Sequence, residues 1–176
     1  MVELSRTALA EMRALLPELR TADSEATKPL EGEILPALAR LRRMGLPAMV
    51  RRDVIQISSE LAFELDLDSY VREPFDREAV LYRVFQESLH NVLKHAQASW
   101  ARIRLAPEGD RILLRVADDG VGFAPDGTHD AGDDGKGGVG LNNMRERLAS
   151  VGGELRVHSE VGAGTTVEAF LPMNPS

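Results

Sequence analysis

Between Gln86 and His95 the chain carries a carboxylate, an amide and two basic groups at helical spacing. The positions i, i+4, i+7 and i+8 of one helix face are taken by Glu87, Asn91, Lys94 and His95. Mg²⁺ prefers oxygen ligands and shares them with substrate phosphates, so an Asn91 carbonyl near Lys94 suits a metal-bound polyphosphate. The same residue types are also ordinary on a solvated helix face, and this column alone leaves both interpretations open.

A second candidate group follows a strand-like run and contains a carboxylate and two glycines. Asp118, Gly120 and Gly122 form the pattern D-x-G-x-G. The Asp118 carboxylate could accept a hydrogen bond from a heterocycle with an exocyclic amine, such as adenine, while the glycines permit close backbone approach. A tight turn with solvated aspartates would give the same pattern.

Two further stretches could contact phosphates. Gly138, Gly140 and Leu141 open a predicted helix, and the free N–H groups of a helix N-terminus can hold phosphate. Thr165 follows a late Gly-Ala-Gly run and could place a hydroxyl beside the same phosphates. An ordinary glycine-rich loop and an ordinary strand threonine explain these residues equally well.

Hydrophobic periodicity indicates the elements that must position these groups. A helix over about 78–97 would bury Leu81, Phe85, Ser88, Val92 and Ala96 as one stripe. Other helices are predicted over residues 2–20, 30–44 and 141–151, and strands over 62–68, 100–105, 111–117, 154–159 and 165–171, with a turn at 107–110. The run 47–59 fits either a helix or a strand, and a helix is the preferred prediction. The pattern predicts a two-layer α/β sandwich, its mixed sheet covered on one face by helices, with an N-terminal helical extension.

Composition restricts the class of protein. The chain has 176 residues, 43% of them hydrophobic, which is typical of one globular domain with a short appendage. It has no cysteine, which excludes disulfides and thiolate chemistry, and a net charge of −7, which argues against a nucleic-acid partner. No apolar run approaches the length of a membrane span. We therefore expect a cytoplasmic chain without direct membrane contact.

Taken in order, three stretches resemble the motifs of one superfamily. They read QESLHNVLKHAQAS, DDGVGF and GVGLNNMRERLASVGGELRVHSEVGAGTTVEAFLP. They resemble the Bergerat-fold ATP-binding domains of DNA gyrase, heat-shock chaperones, histidine kinases and mismatch-repair proteins. The version in this chain is most similar to the catalytic domain of sensor histidine kinases related to the nitrate-sensing and membrane-fluidity-sensing kinases. The resemblance covers about residues 30–172.

The resemblance implies ATP and Mg²⁺ as ligands and gives each candidate residue a role. Asn91 would be the Mg²⁺ ligand, and Glu87 would be the catalytic residue near the γ-phosphate. The remaining residues would bind the nucleotide. Lys94 and His95 would lie beside the phosphates, and Asp118 with Gly120 and Gly122 would lie at adenine. A mobile lid over about 124–137 would have Gly138, Gly140 and Leu141 at its base, and Thr165 would be the nucleotide-binding residue late in the chain. The lid is acidic and would repel ATP unless Mg²⁺ or Lys136 offsets its charge.

The resemblance also implies a reaction and partners. The domain would transfer the γ-phosphoryl group of ATP to a histidine of a dimerisation domain, in a homodimer that acts on a response regulator and can be the cytoplasmic part of a membrane-bound sensor. Residues 1–21 are similar to the end of the dimerisation hairpin. None of the four histidines, at positions 90, 95, 129 and 158, lies in the family's His-Asp motif, so the phosphoacceptor is expected outside this chain. Two alternatives remain here: a non-catalytic interaction module with weak nucleotide binding, and an anti-sigma-factor type serine kinase.

Overall fold

The computed structural model describes residues 31–57, 61–124 and 137–173. Its helices are α1 (Glu31–Met44), α2 (Leu46–Ile55), α3 (Phe75–Asn91), which continues as a π-helical turn (Val92–Ala96), and α4 (Gly137–Ser150). Its strands are β1 (Ala62–Asp66), β2 (Trp100–Glu108), β3 (Arg111–Asp118), β4 (Glu154–Glu160) and β5 (Gly164–Pro172). The predicted helix over 2–20 and nearly all of the predicted lid lie outside the described residues.

One five-stranded sheet has the order β1-β2-β3-β5-β4. β1 pairs with β2 in parallel, and the other neighbours are antiparallel. The predicted hairpin of β2 and β3 is present, but its strands are longer than predicted. Because Glu108 pairs with Arg111, the turn contains only Gly109 and Asp110, and Pro107 belongs to β2. Proline is a turn signal in sequence, which explains the shorter predicted strand, yet it is tolerated in a strand where its missing N–H is not required.

Alternation along the strands places most of the apolar residues on one face, under the helices. The interior side chains with almost no exposure include Ile103, Leu105, Ile112 and Leu114 from the sheet, Leu81 and Phe85 from α3, and Leu41, Met49 and Val50 from α1 and α2. The stripe predicted for α3 is buried throughout. The predicted mixed sheet with helices on one face is therefore confirmed. In the described ranges no helix is long and apolar enough to cross a membrane.

The other face of the sheet has no helical cover in the described ranges and carries charged pairs between neighbouring strands. Arg102 bonds Glu64 at 2.7 Å, and Arg115 bonds Glu168 at 2.6 Å. The exposed Arg102–Glu64 pair is of the kind that stabilises a fold by only about 0–1 kcal/mol, whereas Glu168 of the second pair is buried. Leu113 and Phe170 are also buried on this face, where the guanidinium groups of Arg111 and Arg156 cover the Phe170 ring.

Buried polar contacts fix the first turn of α3, the helix that carries the Glu87 and Asn91 pair. Glu78 is fully buried, and Tyr70 donates its hydroxyl proton to Glu78 Oε1 at 3.1 Å. Arg77 pairs with Glu73 at 2.9 Å and also donates to the carbonyl of Pro172 at the end of β5. These contacts join α3 to the sheet, so its far end approaches β3 in a defined orientation.

Candidate functional site

The first group of candidate residues lies where α3 changes its geometry. Glu87 and Asn91 are half-buried, one helical turn apart, and neither side chain makes a hydrogen bond with another residue of the described ranges. From Val92 the helix widens into the π-helical turn, and Lys94 and His95 in that turn are exposed. The prediction of one straight α-helical column was therefore wrong beyond Asn91. The apolar stripe did not reveal this change, although π-turns are frequent at functional sites.

Glu87 lies against the first turn of α4. A Cβ atom built on Gly140 would overlap the Oε1 atom of Glu87, so a side chain at this position would have to displace the carboxylate from its place. Gly138 lies in the same first turn, and Leu141 packs partly buried against the core. The structure thus brings the predicted catalytic carboxylate together with the predicted phosphate-binding helix start.

Asp118 is buried at the end of β3 and has one engaged and one open oxygen. Its Oδ1 accepts hydrogen bonds from the N–H groups of Gly120 at 2.9 Å and Thr165 at 3.3 Å. Its Oδ2 has no hydrogen-bond partner among the described residues. Burial raises the pKa of the Asp118 carboxyl, and the two N–H groups oppose that shift only in part. The result is a fixed, desolvated carboxylate with one acceptor available to a ligand.

The glycines after Asp118 are required by the packing of the chain itself. A Cβ on Gly120 would overlap the carbonyl oxygen of Ala96, which also accepts the Val121 N–H at 2.7 Å. A Cβ on Gly122 would overlap the carbonyl oxygen of Glu160. The packing of the chain alone therefore explains why glycine stands at both positions. That these glycines also let the backbone approach a ligand stays a prediction.

Three residues near Asp118 were missed by the sequence analysis. Ser159 contacts Thr165, Gly164 and the N–H of Phe123 through its hydroxyl. Gly164 fits closely against the backbone of Asp118, where a Cβ would overlap the Asp118 carbonyl oxygen. Strand alternation could have placed Ser159 on the face of Asp118, because Ser159 follows Leu155 and Val157 at a period of two.

Asp119, the third missed residue, has a structural role. Its Oδ1 accepts the N–H groups of Ser99 at 2.8 Å and Trp100 at 2.9 Å, and its Oδ2 accepts the Ser99 hydroxyl. These bonds lower the pKa of the Asp119 carboxyl, the Ser99 hydroxyl having the largest effect. Asp119 therefore fastens the loop before β2 to the end of β3, and it lies outside the group around Asp118.

The candidate residues form two groups joined by one backbone contact. Asp118, Gly120 and Gly122 lie at and after the end of β3 and Thr165 lies at the start of β5, while Glu87 of α3 meets Gly140 of α4 and Asn91 lies one turn further along α3. The carbonyl of Ala96, five residues after Asn91, connects them by accepting the Val121 N–H. Within the described ranges no three histidine, cysteine or acidic side chains form a metal-binding cluster. A metal there would need oxygen ligands from elsewhere, such as a phosphate.

Comparisons with known proteins identify the family of the chain. The family model described as "Histidine kinase-, DNA gyrase B-, and HSP90-like ATPase" matches residues 76–175. The sensor histidine kinase LiaS of Bacillus subtilis is 31% identical over 165 residues, which is 94% of this chain and 40% of LiaS. The sensor histidine kinase MctS of Rhizobium johnstonii is 37% identical over 132 residues, which is 73% of this chain and 28% of MctS. The chain thus spans less than half the length of these relatives.

Solved structures show the same fold. The histidine kinase domain of the blue-light activated kinase EL346 from Erythrobacter litoralis superposes with a TM-score of 0.64 at 19% identity, covering 96% of this chain and 86% of that domain. The mycobacterial sensor histidine kinase MprB superposes with a TM-score of 0.54 at 20% identity, covering 74% of this chain and 94% of that one. At these identities the match supports the fold alone.

Proposed function

The chain belongs to the family of histidine kinase-, DNA gyrase B- and HSP90-like ATPases, and from this premise we propose that it binds Mg²⁺-ATP and presents the γ-phosphoryl group to a histidine of a dimerisation domain in two-component signalling. The resemblance to the ATP-binding catalytic domains of sensor histidine kinases is confirmed by the family match and by the curated relatives. The family implies ATP binding, while Mg²⁺, the site residues and the partners belong to the proposal.

The observation that carries the proposal is the Asp118 carboxylate, which two backbone N–H groups hold while one oxygen stays available. A buried carboxylate is unfavourable unless it is hydrogen-bonded, and the open oxygen can accept a hydrogen bond from the exocyclic amine of adenine. The residues present therefore fit a nucleotide base. Gly120 and Thr165 bond the same carboxylate through their N–H groups, and these two residues are proposed to line the base site together with Gly122.

The groups between α3 and α4 fit the metal and phosphate end. Asn91 is half-buried with an unengaged amide oxygen and would supply a Mg²⁺ ligand, while the ion would neutralise phosphate charge when bound. The start of α4 at Gly138 and Gly140, followed by Leu141, would place N–H groups toward phosphate. Lys94 and His95, exposed in the π-helical turn, would add positive charge.

Glu87 is proposed as the catalytic residue. It is held beside Gly140, at the helix start that would contact phosphate, and it keeps its oxygens without hydrogen bonds to the described residues. A carboxylate in that position could accept a proton from the attacking histidine or orient it. Most of the rate enhancement would come from positioning and charge neutralisation, as a loose phosphoryl-transfer transition state requires.

We propose that residues 30–172 form the catalytic domain and that residues 1–21 are the end of a dimerisation hairpin. The partners would be ATP, the dimerisation domain with its phosphoacceptor histidine and, indirectly, a response regulator. The full-length protein would act as a homodimer and could be the cytoplasmic part of a membrane-bound sensor. The four histidines of this chain are not proposed as phosphoacceptors.

Phosphoryl transfer to a separately supplied dimerisation hairpin tests the proposed function. The chain alone is expected to gain no phosphate from radiolabelled Mg²⁺-ATP, since transfer needs an in-line nucleophile within about 3–3.5 Å of phosphorus. A hairpin carrying the family's His-Asp motif should become labelled, with phosphate that is lost in acid. A hairpin with that histidine replaced by alanine is the control.

Three results, two from this assay and one from a nucleotide titration, would contradict the proposal. Acid-labile phosphate on the isolated chain would mean that one of its own histidines accepts the group. Acid-stable phosphate on a supplied protein would indicate a serine kinase, and absence of binding in a titration with a fluorescent ATP analogue would indicate an interaction module.

Replacing Asn91 by alanine should remove the Mg²⁺-dependent part of ATP stabilisation. A ligand that binds only the folded state stabilises it by about 2.7 kcal/mol at a hundredfold excess over Kd, and each kcal/mol raises Tm by roughly 2–4 °C for a chain of this size. Thermal melts with ATP, with and without Mg²⁺, measure this contribution. The Tm without nucleotide should change little, because the Asn91 side chain makes no hydrogen bond in the described ranges.

Gln56→Ala is the matched control for Asn91, since it removes an exposed amide at the end of α2, away from the candidate residues. It should keep the full Mg²⁺-dependent rise in Tm. If Asn91→Ala melts lower without nucleotide and retains its ligand-induced shift, Asn91 supports its own helix and the metal assignment is wrong.

A further inference from the structure

The Ser159 hydroxyl lies among three polar neighbours at one end of the sheet. It accepts the N–H of Phe123 at 2.8 Å, and it lies 2.8 Å from the Thr165 hydroxyl and 3.2 Å from the Gly164 carbonyl oxygen. Thr165 is paired with Asp118 on one side and with Ser159 on the other. By strand alternation all three side chains point to the helix-covered face, so the Thr165 hydroxyl lies between Asp118 and Ser159.

The three contacts of Ser159 fix the direction of its hydrogen bond with Thr165. A serine hydroxyl has one proton to donate and two lone pairs that accept. The Gly164 carbonyl can only accept and the Phe123 N–H can only donate, so all three contacts are satisfied when Ser159 donates to Gly164 and accepts from Phe123 and Thr165. The single hydroxyl proton of Thr165 is then committed to Ser159. Toward Asp118, the Thr165 oxygen can act only as an acceptor.

This arrangement deepens the proposed function, on which it rests. We propose that Ser159 is a positioning residue for base selection: by holding the Thr165 hydroxyl proton, it leaves two acceptors side by side, Asp118 Oδ2 and Thr165 Oγ1. Such a pair favours a base with an exocyclic amine at this edge, as adenine has, over one with a carbonyl oxygen, as guanine has. Ser159 itself acts through Thr165 and does not need to contact the nucleotide.

The inference predicts a specific change in base selectivity. In Ser159→Ala the Thr165 hydroxyl loses its acceptor and can turn to donate to a carbonyl, so GTP binding should improve relative to ATP binding. The ratio of the Kd for GTP to the Kd for ATP should fall by up to about tenfold, the effect of one hydrogen bond. Titrating the full 176-residue chain with Mg²⁺-ATP and Mg²⁺-GTP measures this ratio, and a melt of each variant checks that it is folded.

Three further variants make the experiment decisive. Ser159→Thr keeps the hydroxyl and should restore the ratio. Ser99→Ala removes a serine hydroxyl that bonds Asp119 instead, and should leave the ratio unchanged. Thr165→Val removes the second acceptor, so adding Ser159→Ala to it should change the ratio no further.

Two outcomes would overturn the inference. If Ser159→Ala lowers Tm but leaves the GTP to ATP ratio at its wild-type value, Ser159 is only a structural residue. If Ser159→Ala does not fold, Thr165→Val is titrated in its place. A GTP to ATP ratio of Kd values in Thr165→Val that equals the wild-type ratio leads to the same conclusion. A wild-type chain that binds neither nucleotide would instead refute the proposed function, and this inference with it.

Discussion

Replacing Asp118 by asparagine is expected to weaken ATP binding by about 10- to 100-fold at neutral pH. The asparagine oxygen can still accept the N–H groups of Gly120 and Thr165, so the local fold should persist. Its amide nitrogen would replace the open oxygen and present a donor to the adenine amine. Hydrogen bonds to charged groups contribute about 1.5–3 kcal/mol, which sets the size of the effect. Isothermal titration with Mg²⁺-ATP measures it.

The pH dependence of this affinity provides a second measure of the role of Asp118. Only the ionised carboxylate offers the open acceptor, and burial raises its pKa. Wild-type affinity should therefore be complete above that pKa and decrease as the pH falls through it, at a higher pH than for an ordinary aspartate. Adenine protonation affects both chains equally, so the ratio of wild-type to Asp118→Asn affinity isolates the contribution of Asp118.

Stability should change in the opposite direction to affinity. A carboxyl whose pKa is raised by folding stabilises the folded chain at acid pH, and this contribution is lost as the pH rises through the folded-state pKa. At neutral pH the asparagine variant should therefore melt no lower than the wild type. Asp119→Asn is the control, because it should lower Tm by replacing the Oδ2 acceptor of the Ser99 hydroxyl with a donor and should leave ATP affinity intact. Equal ATP affinity in wild type and Asp118→Asn would show that Asp118 is only a turn residue.

Replacing Gly164 by alanine should cause the largest loss of stability, above about 4 kcal/mol. Gly164 has a φ of +87°, and a Cβ there would overlap the carbonyl oxygen of Asp118. Backbone atoms cannot move aside as a flexible side chain can, so β5 and β3 would have to separate. Unfolding in urea, with ATP titration of any folded fraction, measures both consequences.

Gly162→Ala is a matched control two residues away. Gly162 has a similar φ of +82°, but nothing lies within 4 Å of a Cβ built there. Its substitution should cost only the left-handed conformation, about 1–2 kcal/mol. If both variants lost the same stability, the contact of Gly164 with Asp118 would not determine the effect.

The helices and strands could be predicted because their apolar residues recur at periods that distinguish the two. Leu81, Phe85 and Ser88 specify the buried side of α3, and alternation specifies β4. The π-helical turn could not be predicted, since Val92 and Ala96 are buried and spaced by four residues, as an ordinary α-helix would also have them. Tertiary contacts of the Ala96 carbonyl, which the sequence does not specify, accompany the wider turn.

The candidate site could be predicted in part. Asp118, Glu87 and Gly140 belong to recognisable motifs, and the structure brings Glu87 and Gly140 into contact. The atoms that require each glycine come from distant parts of the chain, such as Glu160 for Gly122, so residue type alone did not reveal them. Ser159 was overlooked because a serine in an exposed, alternating strand is common, and only its three neighbours distinguish it.

The hydrogen bond from Val121 to the Ala96 carbonyl has a consequence for ligand length. It joins the end of the helix with Asn91 to the loop that follows Asp118, and the overlap predicted for a side chain at Gly120 shows how closely the two segments fit. The separation between the proposed base and metal sites is therefore set by the backbone and not by side-chain rotamers. Under the proposed function, this fixed separation would select for the length of the phosphate chain. A nucleotide with a shorter phosphate chain would occupy the base site at Asp118 without reaching Asn91.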